Sequence, residues 1–191
     1  AVFVENGTLI FDTAGYMMTV SDYTNGLRIG YTESKSTGDA EFYLTGGGTF
    51  DVEKSVNGVD NKNYAEDDGF DRGSGVNGSG IALMASGKYQ RLLKVDGATL
   101  KSNGNDSWGV YRHNIDSNVY INKQMEPVIF TNGAYVYIED NATTGYYDEA
   151  YCEGGNLLEV LNDSHLYIRY NGDNGYGFGA AGGFRPSEVG R

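Results

Sequence analysis

The chain has 191 residues, of which 39% are hydrophobic, 13% aromatic and only 21% charged, a balance that excludes intrinsic disorder and fits one folded domain. A formal net charge of −12 argues against a nucleic-acid partner and against an anionic membrane surface. The apolar runs are too short for a transmembrane helix, so we predict no membrane insertion. The 29 glycines and only 2 prolines indicate strands joined by tight turns.

A two-strand phrase recurs five times along the chain. It consists of a short apolar segment, a turn containing Gly or Ser, and a second apolar segment. The paired segments are residues 2–4 and 8–11, 42–44 and 49–52, 92–95 and 99–100, 128–130 and 135–138, and 157–160 and 165–168. Matching positions lie seven residues apart in the first four copies and eight apart in the last. Constant spacing in a degenerate sequence predicts stacked structural repeats.

A third strand is predicted after each phrase, where a Gly stands near an apolar or aromatic residue. The step to this strand is ten residues in the last three copies, and 18 and 31 residues in the first two. These steps run from Leu100 to Val110, Val136 to Tyr146, Leu166 to Tyr176, Leu9 to Leu27, and Phe50 to Ile81. The pattern predicts an all-β fold, a parallel β-helix (β-solenoid) of about five three-strand coils in a single domain, residues 1–191. An antiparallel β-sandwich is the alternative, because its strands have similar spacing.

The strand alternation predicts which side chains point inward and which point outward. The predicted inward columns are Leu9, Phe50, Leu100, Val136 and Leu166, and Val2, Tyr43, Leu93, Ile129 and Leu158. The predicted outward columns are Ile10, Asp51, Lys101, Tyr137 and Tyr167, and Thr8, Thr49, Thr99, Tyr135 and His165. The outward columns become aromatic toward the C terminus, while the inward columns stay apolar.

The aromatic end of the outward columns is the first candidate binding site. We expect Tyr135, Tyr137, His165 and Tyr167, with Arg169 beyond them, to form a flat patch of ring faces on two adjacent coils. Tyr offers a large contact area with a polar tip, which suits a protein or glycan partner. The alternative is that these cross-coil aromatic pairs only stabilise the sheet.

The second candidate is a long insertion, residues 53–79, that is predicted to protrude from the second coil. Its candidate contact residues are Tyr64, Phe70 and Arg72. Four carboxylates in the same segment have the oxygen ligands that calcium prefers, although their spacing matches no EF-hand. These are Glu66, Asp67, Asp68 and Asp71. The sequence favours a solvated acidic loop over a calcium site, so no metal or other cofactor is predicted.

A third candidate surface lies around Trp108 and Tyr111, with Arg112 and His113 beside them. Its Asn-rich neighbourhood predicts some exposed side chains, and a core Trp is the alternative. Residues 146–149 occupy the equivalent region of the next coil and are expected to extend this surface. The single cysteine, Cys152, is interpreted as a small buried hydrophobe. Five N-x-S/T triplets are interpreted as turns, and they begin at Asn6, Asn77, Asn105, Asn141 and Asn162.

Catalysis has little support in the sequence. It contains no G-x-S-x-G nucleophile elbow, zinc motif, P-loop or Cys/His pairing of known spacing. With 26 acidic residues, some pair of carboxylates will lie close together in any fold, so such a pair does not indicate glycoside cleavage. We therefore expect a protein that is not an enzyme.

Three phrases carry a resemblance to a known class of proteins. V-D-G-A-T-L at residues 95–100, L-T-G-G-G-T-F at 44–50 and F-T-N-G-A-Y-V at 130–136 resemble right-handed parallel β-helix regions of large bacterial cell-surface proteins. These include autotransporter-like adhesins and pectin-lyase-like repeats, and the likeness covers nearly the whole chain. The resemblance implies a fragment of a longer surface or secreted protein, located outside the cell or on the bacterial surface.

The same resemblance implies what such a module binds. Adhesins of this kind engage host proteins, such as immunoglobulin or epithelial ligands, or glycans. Polysaccharide lyases of this fold carry clustered calcium-binding Asp residues and a basic residue on one face, and we cannot place such a set on successive coils. A non-enzymatic binding module is therefore the leading expectation. A carbohydrate-binding or lyase-like β-helix is second, and a structural stalk spacer is third. The sequence specifies no oligomeric state.

Overall fold

The computed structural model describes residues 1–30, 37–56, 77–85, 89–114, 127–149, 157–172 and 178–180. These residues form sixteen β-strands. The strands are β1 Val2–Val4, β2 Gly7–Asp12, β3 Met17–Ser21, β4 Leu27–Ile29, β5 Ala40–Thr45, β6 Thr49–Glu53, β7 Ile81–Ala85, β8 Arg91–Asp96, β9 Thr99–Asn103, β10 Val110–Asn114, β11 Val128–Thr131, β12 Tyr135–Glu139, β13 Tyr146–Asp148, β14 Leu158–Val160, β15 His165–Arg169 and β16 Phe178–Ala180. Within the described residues, no helix is long and apolar enough to span a membrane.

The strands form three sheets, and each strand pairs with the strand that lies three places earlier or later in the chain. Sheet A has the order β1-β4-β7-β10-β13-β16, sheet B the order β2-β5-β8-β11-β14, and sheet C the order β3-β6-β9-β12-β15. All pairings between these strands are parallel. The fold is a right-handed parallel β-helix of five three-strand coils. β16 adds a sixth strand to sheet A, and the parallel pairing rules out the antiparallel sandwich.

The first coil differs from the sequence prediction. Residues 2–4 pair with β4 in sheet A, and β2 pairs with β5 in sheet B, so neither lies in the sheet that was predicted for it. The strand of this coil in sheet C is β3, which the sequence analysis missed. Met18, and not Leu9, is therefore the partner of Phe50, while Leu9 pairs with Phe42. In the last coil, the sheet A strand begins at Phe178, two residues after the predicted Tyr176.

The core consists of columns of apolar side chains that repeat from coil to coil. In sheet B the inward column runs through Phe42, Leu93, Val128 and Leu158. Leu9, which pairs with Phe42, lies at the end of this column and is 37% exposed. Tyr43 and Ile129, which were predicted to point inward, pair with Lys94 on the outward face instead. Phe42 packs against Phe50 of sheet C with ring centroids 5.6 Å apart. Aromatic contacts thus join two of the sheets across the core of the second coil.

The corner between sheet C and the following sheet A strand repeats in every coil. The residue after each sheet C strand has a positive φ, between 53° and 62°, which turns the chain out of the sheet. These residues are Asp22, Lys54, Gly104, Asp140 and Tyr170. In the last three coils the next residue is a buried asparagine, Asn105, Asn141 or Asn171. The Asn105 and Asn141 triplets therefore lie in a corner, in agreement with their interpretation as turns.

The three asparagines are joined by side-chain hydrogen bonds along the helix axis. The Asn105 Nδ2 group donates to Oδ1 of Asn141 at 2.6 Å, and Nδ2 of Asn141 donates to Oδ1 of Asn171 at 2.7 Å. Backbone N–H groups of Asn105 and Asn141 donate to the same two oxygens, at 3.2 and 3.0 Å. This asparagine ladder satisfies the backbone polar groups of a corner that is shielded from water.

Two arginines are buried on the inner side of the coils. Arg91 donates from Nε to the Met84 carbonyl at 2.9 Å and from Nη1 to the Gly38 carbonyl at 2.9 Å. Burial lowers the pKa of Arg91 to about 10, which leaves it charged at neutral pH. Gly30, at a φ of 86°, leaves the space that this side chain needs, since a Cβ there would lie 1.8 Å from the Arg91 Nε.

The second buried arginine, Arg112, forms an ion pair in the core. Its position pairs with Leu83 of the core on one side and with Asp148 on the other. Nε of Arg112 lies 3.2 Å from Oδ2 of Asp148, and both side chains are 0% exposed. The Tyr146 hydroxyl donates to the same oxygen at 3.0 Å, and Arg112 Nη2 donates to the Leu157 carbonyl at 3.1 Å. Arg112, Tyr146 and Asp148 are therefore core residues, whereas the sequence analysis placed them on an exposed surface.

Candidate partner-binding face

The outward face of sheet C carries three columns of side chains. They are Met17, Thr49, Thr99, Tyr135 and His165; Thr19, Asp51, Lys101, Tyr137 and Tyr167; and Ser21, Glu53, Asn103, Glu139 and Arg169. From the second coil onward, the first two columns agree with the sequence prediction. Thr8 and Ile10 belong to sheet B instead, because the first coil was assigned to the wrong sheets.

The structure brings five of the predicted residues together on β12 and β15. We call Tyr135, Tyr137, His165, Tyr167 and Arg169 the aromatic face. Tyr135 stacks on His165 with ring centroids 4.9 Å apart, and Tyr137 stacks on Tyr167 at 5.1 Å and an interplanar angle of 13°. Along β15, the rings of His165 and Tyr167 are inclined by only 14° at 6.2 Å. The four rings therefore form two nearly parallel layers.

This arrangement corrects the predicted flat patch of ring faces. In-register parallel strands place equivalent side chains one above the other at roughly 4.8 Å, so the rings stack along the helix axis. The faces of Tyr137 and Tyr167 consequently contact each other. The outward face of sheet C thus presents stacked Tyr and His rings at the surface, with Tyr135 41% exposed.

Arg169 is held in place at the edge of the aromatic face. Its Nε donates to Oε1 of Glu139 at 2.6 Å, and Nη2 contacts the same oxygen. The hydrogen bond that Arg169 donates to Glu139 raises the pKa of Arg169 above its ordinary value, so the guanidinium keeps its charge. The guanidinium carbon lies 5.2 Å from the ring centroid of Tyr167 and 5.9 Å from that of Tyr170. Both distances are within the range of cation–π attraction.

Tyr170 is a site residue that the sequence analysis missed. Its side chain is 77% exposed, and its φ of 58° lies in the left-handed region. That conformation costs a non-glycine residue roughly 1–2 kcal/mol. The signal for it was present in the sequence, because Tyr170 occupies the corner position that other coils fill with Asp22, Gly104 and Asp140. Aligning the corners, and not only the strands, would have identified the exposed aromatic residue.

Trp108 and Tyr111 lie on another face, outside sheet A. Trp108 stacks on Tyr111 with ring centroids 4.4 Å apart, and Tyr147 of the next coil lies 6.1 Å from Trp108. Tyr111 is only 2% exposed, and burial together with a hydrogen bond to Glu149 raises its pKa. The structure thus places Tyr111 in a packed cluster and leaves Trp108 half-buried beside it, which differs from the exposed surface that the sequence predicted.

The remaining candidates lie outside the described residues. These are Tyr64, Phe70 and Arg72 of the long insertion, its carboxylates Glu66, Asp67, Asp68 and Asp71, and Cys152. For His113, the structure describes only the backbone, in β10. In the part of the chain that is described, no three His, Cys, Asp or Glu side chains are grouped so that they could hold a metal ion.

Comparisons with known proteins add no relative, since no protein-family model, curated protein or solved structure matches the chain.

Proposed function

We propose that this chain is a non-enzymatic binding module of an extracellular or bacterial cell-surface protein, and that its aromatic face engages a partner macromolecule. The observation that carries the proposal is the set of stacked rings on the last two coils, with an arginine at its edge that is ion-paired with Glu139. The resemblance to adhesin β-helices adds the class of partner, a host protein such as immunoglobulin or an epithelial ligand.

The geometry of the aromatic face supports binding because its side chains are already ordered. Stacking and the Glu139 ion pair restrict the rotamers of Tyr137, Tyr167 and Arg169 before any partner arrives. Less side-chain entropy is then lost on association, which improves affinity for a given contact area. Tyr and Arg are also the residue types that dominate binding energy in protein interfaces.

The distribution of residues supports a binding role over stabilisation of the sheet alone. Tyr135 is 41% exposed, so part of its surface is available to a partner. The equivalent positions in the second and third coils hold Thr and charged residues, including Asp51 and Lys101. The β-helix therefore forms without aromatic residues in these columns, and their concentration at one end favours a use at the surface.

The test is a binding assay on immobilised immunoglobulin, mucosal secretions and a glycan array. We expect Tyr167→Ala to weaken binding of the retained partner by roughly 30-fold, the effect of losing one interface hot spot. Tyr137→Ala is expected to act similarly, because it removes the ring on which Tyr167 stacks. Isothermal titration or surface plasmon resonance with the purified partner gives the dissociation constants.

Tyr43→Ala is the matched control. Tyr43 also points outward, but from sheet B, where its hydroxyl group donates to Glu41 at 3.1 Å and its ring lies 5.8 Å from the Lys94 Nζ. This variant should bind as the unchanged chain does. Equal affinity of the Tyr167→Ala variant and the unchanged chain would contradict the proposal. Release of unsaturated products from acidic polysaccharides in the presence of calcium would instead favour a lyase.

A further inference from the structure

Tyr170 adopts a backbone conformation that its own side chain disfavours. The corner requires a positive φ in every coil, and the other coils place Asp22, Lys54, Gly104 and Asp140 at this position. Gly, Asn and Asp tolerate the left-handed region, whereas a bulky residue there is an outlier. With 77% of its side chain exposed, Tyr170 gains little from packing. Beyond the contact of its ring with the Arg169 guanidinium at 5.9 Å, the described part of the fold gives little reason for an aromatic residue here, and such outliers concentrate at functional sites.

The neighbours of Tyr170 restrict where its ring points. The Arg169 guanidinium lies between the rings of Tyr167 and Tyr170, and Glu139 fixes that guanidinium through two of its nitrogens. Tyr170 thus projects from the corner as a positioned aromatic side chain beside the aromatic face. Asp140, which is exposed and has the same positive φ, occupies the equivalent corner of the preceding coil.

We propose that Tyr170 is the anchor of the interface and inserts into an apolar pocket with a basic rim on a folded protein partner. This inference rests on the proposed function of the aromatic face and specifies the chemistry of its partner. A protruding ring needs a concave partner, and buried aromatic anchors in pockets are typical hot spots of protein interfaces. The basic rim follows from the charges beside the anchor, where the carboxylates of Glu139 and Asp140 outnumber the single Arg169 cation. The formal net charge of −12 acts in the same direction and favours a positively charged partner surface.

A glycan partner fits the same geometry less well. Small ligands such as a short oligosaccharide bind best in concave sites, where apolar side chains and a few polar groups surround them. In the aromatic face, Tyr137 and Tyr167 turn their faces toward each other, and Arg169 lies over Tyr167. Tyr170, at 77% exposure, is the most exposed of these aromatic residues, and it stands at a corner and not in a cleft.

The first arm of the test is stability. Tyr170→Asn keeps a side chain at the corner but replaces it with a residue that tolerates positive φ. We expect its urea midpoint to be equal to or higher than that of the unchanged chain, because the strained aromatic residue is gone. A clearly lower midpoint would overturn the inference, since Tyr170 would then be a residue that the fold itself needs.

The second arm is binding to a microarray of purified extracellular proteins, printed beside a glycan array. We expect the unchanged chain to bind protein spots and Tyr170→Asn to bind them roughly 30-fold or more weakly. Tyr16→Ala is the matched control, because Tyr16 is also 77% exposed but lies at the opposite end of the stack, before β3. Binding to glycans only, unaltered binding by Tyr170→Asn, or no binding to any protein spot would overturn the inference.

The third arm uses salt and separates the two proposals. Raising the salt concentration from about 0.05 to about 0.5 M should weaken binding to the protein spots, because it screens the attraction between Asp140 and a basic rim. Salt-independent binding would overturn the basic rim. If Tyr167→Ala abolishes binding while Tyr170→Asn does not, the aromatic face remains the site and only the anchor is wrong. If neither variant changes binding, the proposed function itself fails.

Discussion

Replacing Asp148 with Val is expected to lower the free energy of unfolding by about 3–5 kcal/mol, the usual cost of removing one partner from a buried ion pair. The substitution leaves the Arg112 guanidinium in a core where both side chains are 0% exposed. It also removes the acceptor of the Tyr146 hydroxyl, which donates to Oδ2 of Asp148 at 3.0 Å. Urea unfolding followed by circular dichroism measures the loss.

A double-mutant cycle tests whether the cost comes from the unpaired charge. Arg112→Met alone should also destabilise the fold strongly, because it removes the cation that balances the buried carboxylate of Asp148. The free energy of unfolding of the double variant should fall by much less than the sum of the two single losses, since neither charge of this pair remains. Tyr146→Phe, which removes only one hydrogen bond, should cost about 1–2 kcal/mol. Additive single losses would show that the two charges do not depend on each other.

The coil architecture was predictable because spacing survives when sequence identity does not. A turn and two strands need nearly the same number of residues in each coil, and insertions between sheets leave that number unchanged. Four of the five copies, β5–β6, β8–β9, β11–β12 and β14–β15, lie in the sheets that the recurrent phrase assigned to them. The prediction for the first coil was wrong because the spacing between its sheet A and sheet B strands is nearly the same as the spacing between the sheet B and sheet C strands of later coils.

The direction of individual side chains was harder to predict where the apolar run is continuous. Residues 42–44 and 128–130 contain no polar residue, so a shift of one position leaves the pattern equally hydrophobic but exchanges the two faces of the strand. Tyr43 and Ile129 were assigned to the wrong face for this reason. In sheet C, polar and apolar residues alternate clearly, as in residues 135–139, and the outward aromatic residues were placed correctly.

Other features of the site depend on contacts that a linear sequence does not show. The sequence places Tyr137 and Tyr167 in one column, but only the in-register pairing of parallel strands shows that their faces contact each other. Arg112 and Asp148 are charged residues in short segments that resemble surface strands. Their burial becomes predictable only when the register brings them opposite each other on adjacent coils. The pairing of opposite charges on adjacent coils thus leaves no pattern in the sequence near either residue.

The asparagine ladder shows how the corner between sheets C and A is stabilised where water is excluded. Asn141 is the central member, with 2% of its surface exposed. Its Oδ1 accepts from the backbone and side-chain nitrogens of Asn105, and its Nδ2 donates to the Ser102 carbonyl at 3.1 Å and to Asn171 at 2.7 Å. The side-chain amide of Asn141 therefore joins polar groups of three successive coils, with its oxygen as the acceptor and its nitrogen as the donor.

Asn141→Ala is accordingly expected to lower the free energy of unfolding by about 3–5 kcal/mol. Several buried polar groups lose their hydrogen-bond partner, and each such loss costs about 1–3 kcal/mol, reduced where water replaces the lost partner. Urea unfolding again measures the loss. Asn162→Gly is the matched control, since Asn162 also bonds through its amide, to Thr131 at 3.0 Å, but lies exposed in a turn with a φ of 51° that glycine adopts freely. It should change stability by about 0.5 kcal/mol or less. Equal losses at the two positions would show that burial does not set the strength of the ladder.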